Sequence, residues 1–212
     1  MYYPYWGKVN STITGEEGQN PVTPSPSSDI LVREPAILER VNNRIYFYAE
    51  VSRGNILKLN RELRDMSNQH IADAQIRNVS LTPIYLHINS YGGGVYSGLA
   101  GMDEVIKTAV PVITVVDGCC ASAATFLSVV GNKRFINRHA VMLIHQLSSF
   151  MWGKYEEFKD EMQNLDMLMD MIRGVYKEYT KIPMSKLDEI LKHDLLFDAK
   201  TCLEYGLVDE IL

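Results

Sequence analysis

Four short apolar runs, RIYFY at 44–48, PIYLHI at 83–88, PVITVV at 111–116 and AVMLI at 140–144, alternate with stretches whose apolar residues fall three and four positions apart. The runs are rich in β-branched and aromatic residues, as strands buried on both faces require. The intervening stretches read as amphipathic helices: Ile56, Leu59, Leu63 and Met66 form one apolar stripe, and Val95, Leu99, Met102 and Ile106 form another. Strands that alternate with helices predict an α/β fold with a largely parallel sheet. The stretch SNQHIADAQIRNVSLT, 67–82, lies between the first helix and the second strand and reads as an irregular insertion.

A third helical pattern runs from Lys154 to Thr180, roughly 40 Å at 1.5 Å per residue. Phe158, Met162, Leu165, Met169, Ile172, Tyr176 and Tyr179 repeat at four and three, the spacing of an a/d seam. Met167, Leu168, Met171 and Val175 widen that seam beyond one face. Apolar surface of that width predicts packing on a second copy of the chain, against the plainer reading of a long core helix in a monomer.

The chain has 212 residues, enough for one substantial core. Residues 1–30 differ from the rest: after four early aromatics they are rich in Ser, Thr, Pro and Gly without apolar period, and read as a flexible tail before a domain spanning 31–212. A formal net charge of −5 without a basic cluster argues against nucleic acid as a partner. No apolar run approaches the roughly 20 residues that cross a bilayer, and the start lacks the pattern of a secretory signal. Adjacent Cys119 and Cys120 do not favour a mutual disulfide, and with Cys202 they fit a reducing cytoplasm.

Two glycine-bearing segments follow strands. In INSYGGGVYSG, 88–98, Gly92, Gly93 and Gly94 allow a tight turn that brings amide N–H groups against a ligand, but there is no phosphate-loop lysine pattern. In DGCCASAATFL, 117–127, the strand-to-helix transition places Ser122 near a helix start, where an oxyanion would be favoured; a capping serine is the simpler reading. His145 closes an apolar run and Asp194 follows in KHDLLFDA, where its apolar neighbours could bury the carboxylate against an imidazole. Spacing alone leaves His87, His139 and His193 as alternatives to His145. Lys133 offers a Ser–Lys variant.

YLHINSYGGGVYSGLAGMDEV, GCCASAATFL, VMLIHQ and HDLLFDAKTCLEYGLVDEIL closely resemble, in the same order, the motifs of the ClpP serine peptidases. The resemblance implies a ClpP/crotonase-like right-handed β-β-α spiral with a projecting handle helix, here about 148–182. It implies Ser122 as nucleophile, His145 as general base and then acid, and Asp194 as the residue that fixes the histidine. It implies an oxyanion hole from the Gly93 and Ala123 amides, and substrate strands lying between Gly92, Gly94 and Val95 on one side and a strand carrying Leu147 and Ser148 on the other. It further implies a heptameric ring, with a second ring stacked through the handles, unfolded proteins or peptides as substrates, and a Clp-family AAA+ unfoldase as partner. ATP is then used by that partner alone, with no cofactor or metal in this chain. Tyr91 replaces the family's proline before the glycines, and LSSFMWGKYEE replaces its glycine-rich strand after the histidine. A catalytically silent subunit and a crotonase-type acyl-thioester enzyme are the competing readings. Cys119 and Cys120 are expected as apolar filler, or as thiols whose pKa a nearby helix start lowers.

Overall fold

A computed structural model describes residues 37–212, which fall within one compact unit, Ala36–Leu212. The expected tail at 1–30 lies outside the described residues. The chain begins with an antiparallel hairpin, β1 (Ile37–Val41) and β2 (Arg44–Tyr48), turned at Asn42 in the left-handed region at φ 54°. Asparagine tolerates that conformation better than most side chains. Then follow α1 (Arg53–Arg77), β3 (Ile84–Ser90), α2 (Val95–Lys107), β4 (Val112–Ala121), α3 (Ala124–Val129), β5 (Lys133–Ile136) and β6 (Val141–Leu143). The chain closes with α4 (Tyr155–Tyr179), α5 (Met184–Ile190), β7 (Phe197–Asp198), α6 (Ala199–Glu204) and β8 (Glu210–Ile211).

The sheet runs in the order β1-β2-β3-β4-β5-β8, parallel from β2 onward, with β6 added in parallel to the far end of β4 and β7 antiparallel to β6. β4 is therefore shared. Ile113–Val116 pair with β5, whereas Cys119–Ala121 pair with β6. Apolar side chains alternate along β3, where Ile84, Leu86 and Ile88 are fully buried. They meet Ile56, Leu59, Leu63 and Met66 of α1 in one core. At roughly 1.5–3 kcal/mol per fully buried large aliphatic side chain, that core is what offsets ordering the chain.

Two expectations change. The stretch 67–82 is not an irregular insertion, because α1 continues through it to Arg77 and ends on Asn78 at φ 51°, whose amide donates to the Ala74 carbonyl. Beyond Ile71, which still packs on the core, the helix turns to solvent, Ile76 is 82% exposed, and no apolar stripe is needed. Arg40 donates to Gln69 and His70 Nδ1 to the Thr82 carbonyl, which hold this polar end in place. The short strands β1, β5, β7 and β8 were not expected at all, since two to five residues carrying charges give no period to read.

The long helix stands close to where its period put it. Leu168, Ile172, Val175 and Tyr176 of its C-terminal half are buried. Met162 is about half exposed, and Met167 and Met171 likewise face outward. Ahead of it, Phe150 and Trp152 are almost fully exposed. No helix among the described residues is long and apolar enough to cross a membrane.

Candidate active site

Ser122 is the residue after β4, and its amide donates to the Leu143 carbonyl at 2.8 Å, carrying the β4–β6 ladder one step past the strand. Its φ is 55°, a left-handed conformation that costs a non-glycine residue about 1–2 kcal/mol. The turn is held by Thr125, whose amide and Oγ1 both donate to the Ser122 carbonyl, at 2.9 and 2.6 Å. With its hydroxyl proton so committed, Thr125 accepts from the buried Tyr176 hydroxyl of α4 at 2.7 Å. Strand, left-handed serine and helix together lift the Ser122 side chain out of the sheet.

The serine does not cap α3; no side chain accepts a capping bond from the amides of that helix start. Instead Ser122 Oγ lies 2.8 Å from His145 Nε2, and His145 Nδ1 lies 2.7 Å from Asp194 Oδ1. A carboxylate on Nδ1 fixes the proton there, so Nε2 is left to accept from the serine hydroxyl. β6 ends at Leu143, two residues before His145, and the Gln146 amide donates to the Leu191 carbonyl at 2.7 Å, which joins the histidine segment to the end of α5. Asp194 follows that helix end.

Not all of the surroundings match expectation. His145 is nearly covered, at 11% exposure, but the Asp194 side chain is 57% exposed, because Leu195 and Leu196 also face solvent rather than covering it. The strand expected after His145 is absent; residues 144–154 are irregular, and the Leu147 amide meets Met169 Sδ at 3.4 Å. Leu147 and Ser148 therefore lie in an irregular segment rather than in a strand. The other candidate bases stand elsewhere: His87 bonds to Asp117, His193 faces Glu189 at 3.3 Å, and His139 is exposed. Lys133 pairs with Glu210 at 2.9 Å.

The glycine loop packs directly on the serine turn. Gly92 has φ 94°, and a Cβ there would meet the Ala121 carbonyl oxygen at 2.6 Å and Ser122 Cβ at 2.7 Å. Val51 fixes the loop from its other side, donating to the Gly92 carbonyl and accepting from the Gly94 amide, both at 2.8 Å. The Gly93 amide takes no part in that pairing, and neither it nor the Ala123 amide meets a backbone carbonyl among the described residues. Val95 opens α2 beside them.

The thiols differ from the reactive alternative. Burial pushes all three up: Cys119 and Cys120 above the ordinary value and Cys202 to about 12. No helix start lowers them, since α3 begins after Ala123 and the sheet encloses Cys120 completely. Among the described residues no group of three or more His, Cys, Asp or Glu is arranged to hold a metal.

Comparison with known proteins places the chain. The sequence pattern of the family described as Clp protease matches residues 39–212. The chain belongs to the Clp protease family. Within that family it is 34% identical over 175 residues to the ATP-dependent Clp protease proteolytic subunit of Epifagus virginiana, covering 80% of this chain and 86% of that one. To the subunit of the same name from Chlorella vulgaris it is 30% identical over 172 residues, covering 77% and 84%. A solved ClpP1 point mutant from Listeria monocytogenes superposes with a TM-score of 0.69 over 80% of this chain and 91% of that chain, at 22% identity. The fold is therefore that of the ClpP-type Clp proteases.

Sequence reasoning missed three contributors to the site. Thr125 and Tyr176 support the serine turn, and Asp117 gathers bonds from several strands just upstream of it. Only Asp117 carried a signal, a carboxylate inside an apolar strand.

Proposed function

We propose that this chain is a serine endopeptidase that cleaves unfolded polypeptides or peptides through an acyl-enzyme. One observation carries the reading: Ser122, His145 and Asp194 are joined by hydrogen bonds of 2.8 and 2.7 Å across a strained serine turn. His145 Nε2 takes the hydroxyl proton as Ser122 Oγ attacks the scissile carbonyl, and the developing oxyanion accepts from the Gly93 and Ala123 amides. The imidazolium then gives its proton to the leaving amine, and water repeats the sequence on the acyl-serine. Asp194 holds the Nδ1 proton and stabilises the charged imidazole throughout. Substrate lies along Gly92, Gly94 and Val95, with Leu147 and Ser148 on the opposite side.

Assembly is part of the proposal. The outward methionines of α4, with Phe150 and Trp152, form an apolar surface suited to a second copy, in line with a heptameric ring that stacks on another and encloses its active sites. A Clp-family AAA+ unfoldase would deliver substrate and use the ATP, so this chain needs no cofactor or metal. Three unpaired, buried cysteines suit work in the cytoplasm.

A fluorophosphonate probe tests the chemistry. Labelling at Ser122 that disappears in Ser122→Ala, and peptide cleavage that falls by about 10³-fold or more in His145→Ala, are expected. Labelling that survives Ser122→Ala refutes the assignment. A folded wild-type protein that neither labels nor cleaves favours a catalytically silent subunit. Sedimentation of the labelled species far above 24.1 kDa is the expectation for a ring.

A further inference from the structure

Asp117 is a partly buried charge that the proposed reaction does not use. Its carboxylate, 14% exposed, accepts from Tyr48 Oη of β2 at 2.7 Å, from His87 Nδ1 of β3 at 2.9 Å and from Asn137 Nδ2 at 3.2 Å. Asn137 lies in the link between β5 and β6; its Nδ2 also reaches the Asp117 carbonyl at 3.2 Å, and its own amide donates to the Val116 carbonyl at 2.9 Å. Tyr46 stacks on His87 with ring centroids 4.7 Å apart. One carboxylate thus joins β2, β3, β4 and the start of the β5–β6 link.

The place of this junction matters. Ile88 pairs with Val116 and Ser90 with Cys120, so β4 inserts two extra residues opposite β3 across Asp117–Cys119. Such a bulge re-aims the strand that follows it. Asn89 fills the gap by accepting from the Cys119 amide at 2.9 Å, and Gly118 presses so closely on Asn89 that a Cβ would come within 2.9 Å of its Oδ1. At this bulge β4 leaves β5 and takes up β6. Ser122 is five residues beyond Asp117, and His145 is eight beyond Asn137. The two strand segments that carry the serine and the histidine therefore diverge from one bonded point.

Charge and protonation suit the role. Burial alone would raise the Asp117 carboxyl, but the bonds from His87 and Tyr48 outweigh it and hold it below the usual range. Burial and the same carboxylate push the Tyr48 phenol up, so it remains a donor. An ionised acceptor with three donors is a strong, directional tie.

We propose that Asp117 is a positioning residue for the Ser122–His145 pair: through Tyr48, His87 and Asn137 it fixes the β4 bulge and so the separation of nucleophile and base. This rests on the peptidase reading above. An Asp117→Asn variant keeps the shape but removes the charge and turns an amide donor either toward Asn137 Nδ2 or toward the His87 and Tyr48 donors. A displacement of about 1 Å between reacting groups costs roughly 10²-fold in rate.

The test measures kcat and KM for a short fluorogenic peptide, per active site titrated with fluorophosphonate, together with the crystal structure of the variant. We expect kcat and the labelling rate to fall about 10- to 100-fold with KM within about twofold, and Ser122 Oγ to move out of hydrogen-bond reach of His145 Nε2. Tyr48→Phe, which deletes one bond and keeps the ring, gives a smaller loss in the same direction and serves if Asp117→Asn does not fold. Wild-type kcat per titrated site in a folded variant overturns the proposal, as does a loss confined to KM. If the wild-type protein proves inactive, the peptidase reading falls separately. The positioning claim is then judged by the crystal structure alone, where an unchanged 2.8 Å separation overturns it.

Discussion

Replacing Gly92 by alanine perturbs the site without touching any titratable group. At φ 94° an L side chain costs about 1–3 kcal/mol on backbone grounds alone. The added Cβ would also sit 2.7 Å from Ser122 Cβ and 2.6 Å from the Ala121 oxygen, roughly 0.8 Å inside ordinary contact distance. Both sides of the overlap are fixed: Ser122 by the Leu143 and Thr125 bonds, and Gly92 by Val51. The loop and the serine turn must therefore separate by most of that overlap, which moves the Gly93 amide away from the Ala123 amide. On the proposed mechanism, loss of one properly aimed oxyanion donor costs about 10²–10³ in kcat. Backbone strain and overlap together predict a stability loss of about 2–4 kcal/mol, or a Tm lower by roughly 4–16 °C for a domain of this size. The assay is peptide turnover per folded protein, with calorimetry for Tm. A folded Gly92→Ala protein within about threefold of wild-type kcat would refute the argument that this glycine holds the loop against the nucleophile.

Two further outcomes follow from the titrating groups. Because burial raises all three thiols, iodoacetamide at pH 8 should modify them slowly in the native protein and rapidly after denaturation, with activity kept in the native reaction; fast native modification at Cys119 would contradict this. Asp209 is held below the usual carboxyl range by the Arg134 guanidinium, which donates through Nε at 3.1 Å. A carboxyl lowered on folding contributes stability that is present above its unfolded value of about 3.9 and is lost as pH falls through the folded value. Asp209→Asn should therefore melt below wild type at pH 7, with the gap closing below about pH 4. A gap of constant size from pH 7 to pH 3 would show that the ion pair is not its source.

Much of the fold was legible because buried parallel strands and amphipathic helices write their periods into the chain. RIYFY, PIYLHI and AVMLI mark β2, β3 and β6 to within a residue or two, and the repeat from Phe158 to Tyr179 marks α4. The polar end of α1 was not legible, since a helix outside the core needs no stripe, and β5 and β8 are too short to show a period. PVITVV pointed to a strand but not to its length: β4 runs on through Asp117, Gly118 and both cysteines to Ala121. A carboxylate and a glycine look like a strand end until their partners are known.

By itself the sequence determined the α/β class, the motifs shared with the Clp proteases, and the residue types of a serine-centred site. Spacing left His87, His139 and His193 open beside His145, which the family resemblance singled out; tertiary structure shows that His145 is the one that meets the serine. It also decided that Asp194 stays in solvent, that the thiols are enclosed, and that Asp117 ties four parts of the sheet at the point where β4 changes partners. Local period records burial, which each residue experiences along its own segment. A hydrogen bond between residues 23, 49 or 69 positions apart leaves no such record, because it depends on where several segments end in space.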